Sequence, residues 1–275
     1  MRNVCRRRVF RRGKITPCKR DTIEHLAENF WNIRGDFKIA HMINIGTQLS
    51  LVRKLDGRFI LIDAYEPGER DRAELFALTD NGALVDAVLN VHPFHTVHCK
   101  FVHETLPHAR LVGTRRHRQQ MPQLDWDPAL IEDAATQQQF ADLFDFSIPA
   151  GVEFIPEDES VHVSSVLVRH RESSIVHVDD TLMYLIAPSV VKLIVPGPKL
   201  RFHPKLADAL LKRASAADEY VRWAKELASN WADTRIVCAA HNGIARLTDQ
   251  TFGQAIDNAL EQVSDTLQNH RETLS

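Results

Sequence analysis

Short apolar runs alternate with longer stretches of helical spacing along most of the chain. The short runs are typical of strands, and one of them, Phe59–Ile62, is apolar throughout, as expected for a strand covered on both faces. Further strands are predicted at 85–91, 110–113, 192–195 and 235–240 and within 152–186. The longer stretches predict helices over 22–32, 69–80, 96–106, 205–230 and 251–272, with loop and helix at 115–145. This alternation of strands and helices indicates an α/β protein.

Two pairs of predicted strands are joined by short polar turns. Asp56-Gly57 separates the apolar runs 49–53 and 58–63, and an Asp-Gly pair in this position is a strong hairpin signal. A second hairpin is predicted over 164–178. Because hairpins join antiparallel strands, the pattern favours two mixed sheets packed face to face with helices outside, a four-layer αββα sandwich. A doubly wound parallel sheet is the alternative.

Charge divides the chain into a basic head and an acidic body. Residues 1–20 contain nine Lys or Arg and no acid, whereas the whole chain of 275 residues has a formal net charge of −2. We interpret 1–20 as a disordered tail, with an Arg-rich targeting segment or a contact with nucleic acid or a membrane surface as alternatives. Residues 21–275 then form one domain, and its acidic charge disfavours nucleic acid as a partner.

Composition limits the class and the compartment. With 44% hydrophobic and 25% charged residues, the chain is an ordinary globular protein. It contains no run of about 18 apolar residues, so neither a membrane span nor a membrane partner is expected. Four scattered cysteines indicate a reducing compartment, the cytoplasm, with organellar targeting by the basic head left open. The expected partner is a small-molecule substrate, and the C-terminal helix could support a homodimer.

A His or Asp residue ends four of the predicted strands. These residues are Asp63, His92, Asp180 and His241. Because a rigid sheet presents the residues at its strand ends to a crevice, the pattern predicts a site at one rim of the fold.

The stretch 90–98 is rich in imidazoles at three-residue spacing, contributed by His92, His95 and His98. Residues three apart on a helix share a face, and neutral imidazole is the commonest metal ligand. The pattern therefore predicts a metal site at a strand end and the first turn of a helix. The alternative is that these side chains face water at the start of the helix.

The order of these residues along the chain resembles the metallo-β-lactamase superfamily. The stretches that carry the resemblance are 61–63, 89–93, 177–182 and 240–243, and the resemblance extends over about residues 40–245. They are similar, in order, to the first Asp motif, the strand leading into the His motif, the turn with the bridging Asp and the final His turn. The resemblance implies the αββα fold and a metal-dependent hydrolase.

The resemblance also implies a ligand set and a cofactor. The implied ligands are His92, His95, His98, His162, Asp180 and His241. The implied cofactor is one or two ions of zinc or iron, which suit such nitrogen-rich sites better than magnesium or calcium. Asp63 would support a ligating His from behind rather than bind metal itself.

One motif departs from the H-x-H-x-D-H pattern of the superfamily. Without a gap, Phe94 and Thr96 occupy the positions of the second His and the Asp. With one inserted residue, His95 and His98 recover the histidines, but Val97 stands at the Asp position. The Asp is missing in either alignment, which leaves open a one-metal site, an altered second site or a scaffold without catalysis.

Three functions are consistent with these features. The first is a metal-dependent hydrolase acting on an ester, lactone, amide or phosphoester. The second is a non-catalytic scaffold or binding protein, and the third is an iron-dependent redox enzyme on the same fold. The strand-end residues His92, Asp180 and His241 favour the first and third, whereas the missing Asp favours the second.

Overall fold

The computed structural model describes most of the chain. The described residues are 22–36, 38–39, 43–44, 46–185, 199–241 and 243–274. The interpretation of 1–20 as a tail and the strand predicted at 192–195 therefore lie outside the described residues. No helix in the described part of the chain has the length and apolar character needed to cross a membrane.

Sixteen strands and eight helices form the described structure. The strands are β1 (Thr22–Ala27), β2 (Phe30–Gly35), β3 (Lys38–Ile39), β4 (Ile43–Asn44), β5 (Thr47–Arg53), β6 (Phe59–Ile62), β7 (Val85–Leu89), β8 (Arg110–Gly113), β9 (Trp126–Leu130), β10 (Phe144–Ser147), β11 (Leu167–His170), β12 (Ile175–Val178), β13 (Leu182–Leu185), β14 (Lys199–Phe202), β15 (Ile236–Ala239) and β16 (Gly243–Arg246). The helices are α1 (Glu69–Leu78), α2 (Cys99–Thr105), α3 (Arg115–Gln120), α4 (Ala134–Gln138), α5 (Leu206–Ala209), α6 (Ala216–Asn230), α7 (Phe252–Gln262) and α8 (Ser264–Leu274).

The strands assemble into two large mixed sheets. The first has the order β1-β2-β5-β6-β7-β8-β9, antiparallel up to β6 and parallel from β6 to β9. The second has the order β10-β11-β12-β15-β16, in which only β12 and β15 run parallel. Two small hairpins, β3–β4 and β13–β14, accompany them.

Three apolar layers stabilise the fold, and the side chains of β6 contribute to two of them. Its side chains alternate, so that Ile60 and Ile62 pack between the two sheets, whereas Phe59 and Leu61 pack toward the first sheet's helices. In β12, Ile175 joins the layer between the sheets and Val176 faces the helices of the second sheet. This is the predicted four-layer αββα sandwich, and the alternative of one open parallel sheet is wrong.

The hairpin predicted at Asp56-Gly57 is present between β5 and β6. Gly57 has a φ of +83°, which L-residues with a Cβ adopt only at a cost. We expect Gly57→Ala to destabilise the fold by about 1–2 kcal/mol through the backbone alone, because nothing lies within 4 Å of the added Cβ. The measurement is urea unfolding.

A matched control for this prediction lies in α7. Gly253 has an ordinary helical position, and a Cβ there would meet only Thr251 Oγ1 at 3.8 Å. Gly253→Ala should therefore stabilise the protein by about 0.5–1 kcal/mol. Equal effects of the two substitutions would contradict the assigned turn.

The prediction of a helix over 22–32 is wrong, because this stretch forms the β1–β2 hairpin. Phe30 lies in the layer between the sheets and Trp31 and Ile33 lie on the opposite face, so the true period is two. β2 also pairs with β5 along its other edge, and these backbone hydrogen bonds stabilise a strand here instead of a helix. Such pairing with a distant strand overrides local spacing.

The long helix predicted over 205–230 is interrupted. Its first turn is α5, its body is α6, and Leu210 between them has extended backbone angles. There the chain pairs with the segment beside Val152, since Leu211 N donates to Gly151 O and Glu153 N donates to Ala209 O. These contacts with a distant segment end the helix early.

Two other predictions are right in kind but wrong in detail. The stretch 115–145 contains the predicted helical turns and also the strand β9, which extends the first sheet. The C-terminal helix predicted over 251–272 is two helices, α7 and α8, with a break at Val263. At the break, Ser264 Oγ donates to Glu261 O and satisfies a carbonyl at the end of α7.

Candidate metal centre

Four strand ends meet at one rim of the sandwich. Asp63 follows β6 and His92 follows β7 by three residues, and these two strands are parallel neighbours in the first sheet. Asp180 and His241 follow β12 and β15, which are parallel neighbours in the second sheet. Parallel strands end on the same edge of their sheet, and the packing of the two sheets brings these edges together, with His92 Nε2 3.1 Å from Asp180 Oδ2.

Asp180 is the centre of a cluster of imidazoles. Its Oδ2 lies 3.1 Å from His92 Nε2 and 3.9 Å from His162 Nε2, and its Oδ1 contacts His241 Nε2. The ring of His95 stacks on that of His92 with centroids 4.0 Å apart. We call these five residues the outer group. One ligand atom from each of His92, His95 and Asp180 lies within 4.8 Å of the others, so these three could hold a metal ion.

A second cluster lies deeper between the sheets, and we call its members, Asp63, His177 and Asp179, the inner group. All three side chains are buried, and their ligand atoms also lie within 4.8 Å of one another. His95 is next to both groups, because its Nδ1 is 3.4 Å from Asp63 Oδ2 and 3.9 Å from Asp179 Oδ2. Two His/Asp groups that could bind metal are therefore stacked at one rim.

Hydrogen bonds orient two of the outer imidazoles, those of His162 and His241, relative to Asp180. His162 Nδ1 is 2.9 Å from Glu159 O and His241 Nδ1 is 3.3 Å from Gly46 O. Since a carbonyl only accepts, each Nδ1 donates to its carbonyl, and the Nε2 atom on the other side of each ring faces the carboxylate of Asp180. An Nε2 atom beside a carboxylate needs a proton or a cation between them, and an Nδ1 that donates to a carbonyl is the arrangement found behind ligating histidines.

Several buried polar atoms of the site face only other members of the cluster or nothing: His92 Nε2 and Asp180 Oδ1 have partners only within the outer group, and Asp179 Oδ2 has no hydrogen-bond partner in the described part of the chain. Such atoms cost free energy unless something satisfies them. The donors are imidazole nitrogens and carboxylate oxygens, a set that suits zinc or iron. The residues present therefore fit a transition-metal ion.

Charge and burial set the protonation states of two residues of the outer group. Burial alone would raise the pKa of Asp180, but His92 and His241 hold it well below its ordinary value. Burial lowers the pKa of His92 to about 4. Asp180 is therefore anionic and His92 neutral near neutral pH, as metal binding requires.

His95 behaves differently. Burial by itself would lower its pKa, but the carboxylates of Asp179 and Asp63 raise it to about 10. The side chain keeps 27% of its surface exposed, so solvent weakens this effect. His95 must lose a proton before it can bind a metal, which makes metal uptake through this residue pH-dependent.

The inner carboxylates differ from each other. Burial would raise the pKa of Asp63, but the imidazoles of His177 and His95 hold it well below its ordinary range. Burial, followed by the nearby charge of Asp63, raises the pKa of Asp179 well above its ordinary range. Two carboxyl groups this close share one proton unless a cation separates them.

A polar network ties the two sheets together next to the site. Gln48 Nε2 on β5 donates to Val178 O and Cys238 O, each at 3.0 Å. Arg34 on β2 donates to Ala239 O at 2.8 Å and Ala240 O at 2.9 Å. These side chains of the first sheet therefore fix the ends of β12 and β15, where Asp180 and His241 begin.

Comparisons with solved structures match this arrangement of sheets and helices. A metallo-β-lactamase from Erythrobacter litoralis is 16% identical with a TM-score of 0.57, covering 88% of this chain and 96% of that chain. The DIM-1 metallo-β-lactamase is 13% identical with a TM-score of 0.55, covering 88% and 97%. FIM-1 from Pseudomonas aeruginosa, in its mono-zinc form, is 12% identical with a TM-score of 0.52, covering 88% and 96%.

The chain has the metallo-β-lactamase fold. No protein-family model and no curated protein matches the sequence. The resemblance expected from the motifs is confirmed at the level of the fold, which is what likeness at these identities shows.

Within the metallo-β-lactamase fold, the His motif follows the alignment with one inserted residue, but only in part. His95 joins the outer group, whereas Phe94 lines the cavity above it. His98 lies at the start of α2, where its ring meets Tyr65 edge to face at 5.2 Å, and it lines the same cavity. The structure brings His92, His95, His162, Asp180 and His241 together. His98 lies on the wall of the cavity, outside the outer group.

Sequence reasoning missed several polar residues near the site. It noted Asp63, but it did not associate this residue with His177 and Asp179, which lie within the stretch 177–182. It also missed His203, whose ring lies 6.3 Å from that of His162. His203 follows directly after β14, so the search for polar residues at strand ends could have found it.

Four members of the outer group, all except the buried His92, line the floor of a cavity of about 380 Å³. Its walls include Ala64, Phe94 and the exposed Val97, together with one cation, Arg116. The Arg116 guanidinium lies 4.1 Å from the centre of the Phe94 ring and pairs with Glu159. The cavity is therefore mainly apolar with a polar floor, as small-molecule sites usually are.

Proposed function

We propose that the protein is a metal-dependent hydrolase that acts on a small molecule carrying an ester, lactone, amide or phosphoester group. The observation that carries this proposal is the buried carboxylate of Asp180, surrounded by three imidazoles at the floor of an open, mainly apolar cavity. The fold and the two His/Asp groups support a metal-dependent, hydrolase-like function.

The outer group supplies the ligands in this proposal. His92, His162, His241 and Asp180 would hold one zinc or iron ion, with His95 as a further ligand. Such an ion lowers the pKa of bound water and polarises the carbonyl or phosphoryl oxygen of a substrate. The backbone carbonyls of Glu159 and Gly46 orient His162 and His241, and the side chains of Gln48 and Arg34 hold the strand ends that precede Asp180 and His241.

The absence of the Asp of the H-x-H-x-D-H pattern predicts a low rate of hydrolysis. Thr96 and Val97, which occupy the two alternative Asp positions, cannot take up a proton from attacking water near neutral pH. General base catalysis contributes about 10²–10⁴-fold, so turnover on generic esters and lactones should be slow. The same observation favours the second candidate, a scaffold that binds a ligand without catalysis.

Metal analysis combined with assays tests the proposal. The purified protein, reconstituted with zinc or ferrous iron, is assayed on p-nitrophenyl acetate, a simple lactone and bis-p-nitrophenyl phosphate. We expect bound metal and hydrolysis that chelation abolishes and metal restores. Background metal after reconstitution would exclude both the hydrolase and the redox enzyme, whereas bound metal without hydrolysis would favour the scaffold. Dependence of the rate on oxygen would indicate redox chemistry.

The cavity wall makes a specific prediction about apolar substrates. Val97 is 68% exposed at the cavity, and Val97→Asp should raise the KM for an apolar ester about tenfold by placing a charge beside the substrate. Metal content should not change. The matched control is Leu55→Asp, at a fully exposed position in the β5–β6 turn. This substitution should leave both the KM and the metal content unchanged. An unchanged KM for Val97→Asp would exclude this wall from substrate binding.

A further inference from the structure

The inner group has the features of a separate site. Asp63 comes from the first sheet and His177 and Asp179 from the second, and their side chains are 3%, 0% and 0% exposed. His177 Nε2 lies 3.8 Å from Asp63 Oδ2 and 3.7 Å from Asp179 Oδ1. Both separations are too long for hydrogen bonds, so His177 Nε2 faces the two carboxyl groups without satisfying either of them.

Neighbouring polar groups orient the inner residues but do not fill the space between them. Ser50 Oγ lies 2.9 Å from His177 Nδ1 and fixes the ring with Nε2 toward the carboxylates. Gln48 Nε2 lies 3.5 Å from both His177 Nε2 and Asp179 Oδ1, but its two N–H groups are already used at 3.0 Å by Val178 O and Cys238 O. Asp179 Oδ2 is buried with no hydrogen-bond partner in the described part of the chain.

The spacing fits a metal ion. Ligand atoms at 2.0–2.2 Å from a zinc ion lie about 3.3–3.6 Å from each other. The distances of 3.7 Å and 3.8 Å in the inner group are close to this range and need only small movements. Two carboxylates and a neutral imidazole also provide the charge that a divalent cation balances, and the imidazole favours zinc over magnesium or calcium.

We propose that Asp63, His177 and Asp179 bind a divalent transition-metal ion of their own, beneath the outer group. This ion links the end of β6 to the end of β12 and so ties the two sheets together at the rim. It also fixes the two carboxylates beside His95 Nδ1. The inner ion is independent of the proposed hydrolysis, because a chain without activity could still hold it.

Zinc stoichiometry in two kinds of variant tests this proposal. The wild-type protein, saturated with Zn²⁺ and desalted, should hold two ions per chain by mass spectrometry of the metal. The outer variant Asp180→Asn/His241→Gln should keep one ion. Adding Asp179→Asn to that variant should remove it, with circular dichroism showing that both proteins are folded. A folded outer variant that holds no zinc would overturn the proposal, as would a triple variant that still holds one.

A stability measurement covers the case in which Asp179→Asn does not fold. Zinc at about 100 times its dissociation constant should raise the Tm of the outer variant by about 5–10 °C, because an ion that binds only the folded state stabilises it. His177→Gln in the same background should abolish the shift. No shift in the folded outer variant would show that the two carboxyls share a proton instead. Loss of hydrolysis alone would bear on the proposed function and not on the inner ion.

Discussion

Asp180→Asn is expected to remove the outer metal ion and to lower metal-dependent hydrolysis by more than about 100-fold, since removing even a partner of a ligand costs about 10–100-fold. The negative charge of Asp180 and its position among three imidazoles are the reason. Asp180 is the anion that His92, His162 and His241 surround, and its pKa is held well below its ordinary value. An amide keeps the size of the side chain and removes the charge that attracts the cation.

The experiment compares metal content and kcat/KM of Asp180→Asn with those of Asp257→Asn. Asp257 is exposed on α7, so the same chemical change there should leave both quantities at the wild-type value. Circular dichroism confirms that both variants fold. A folded Asp180→Asn protein with wild-type metal content and rate would show that the outer group is not the metal centre.

Phe144→Ala is expected to cost about 3–5 kcal/mol of unfolding free energy, because it removes a large side chain from a packed core. Phe144 is 1% exposed on β10 and lies in the apolar layer between the sheets, which also contains Phe30 from β2. A cavity there weakens the contact between the two halves of the sandwich, so the effect tests the four-layer arrangement directly.

Urea unfolding measures this loss, with Leu55→Ala as the control. Leu55 is fully exposed in the β5–β6 turn, and its truncation should change stability by less than about 0.5 kcal/mol. A loss below about 1 kcal/mol for Phe144→Ala would mean that the layer between the sheets is not a packed core.

The outer site was largely predictable because its residues follow a local rule. His92, Asp180 and His241 closely follow apolar strands, and the ends of parallel strands meet at one edge. The spacing could not decide whether Phe94 or His95 joins the group, because one inserted residue turns a different side chain toward the site.

The inner group could not be predicted as a unit. His177 is an inward-facing position of a buried strand, where sequence reasoning expects an apolar side chain. Asp63 lies more than a hundred residues earlier, on the other sheet. Only the packing of one sheet against the other shows that these polar groups meet.

Sequence alone determined the features that depend on neighbours along the chain. The Asp-Gly turn, the apolar run of β6 and the polar residues at strand ends each reflect backbone geometry or burial within a few residues. Tertiary structure decided the features that depend on distant partners. Pairing of β2 with β5 made a strand of a stretch with helical spacing, and the contact at Leu211 ended a helix. The inner group forms because the packing of the two sheets buries polar side chains from both sheets next to each other, away from water. The spacing of residues along the chain does not encode this packing.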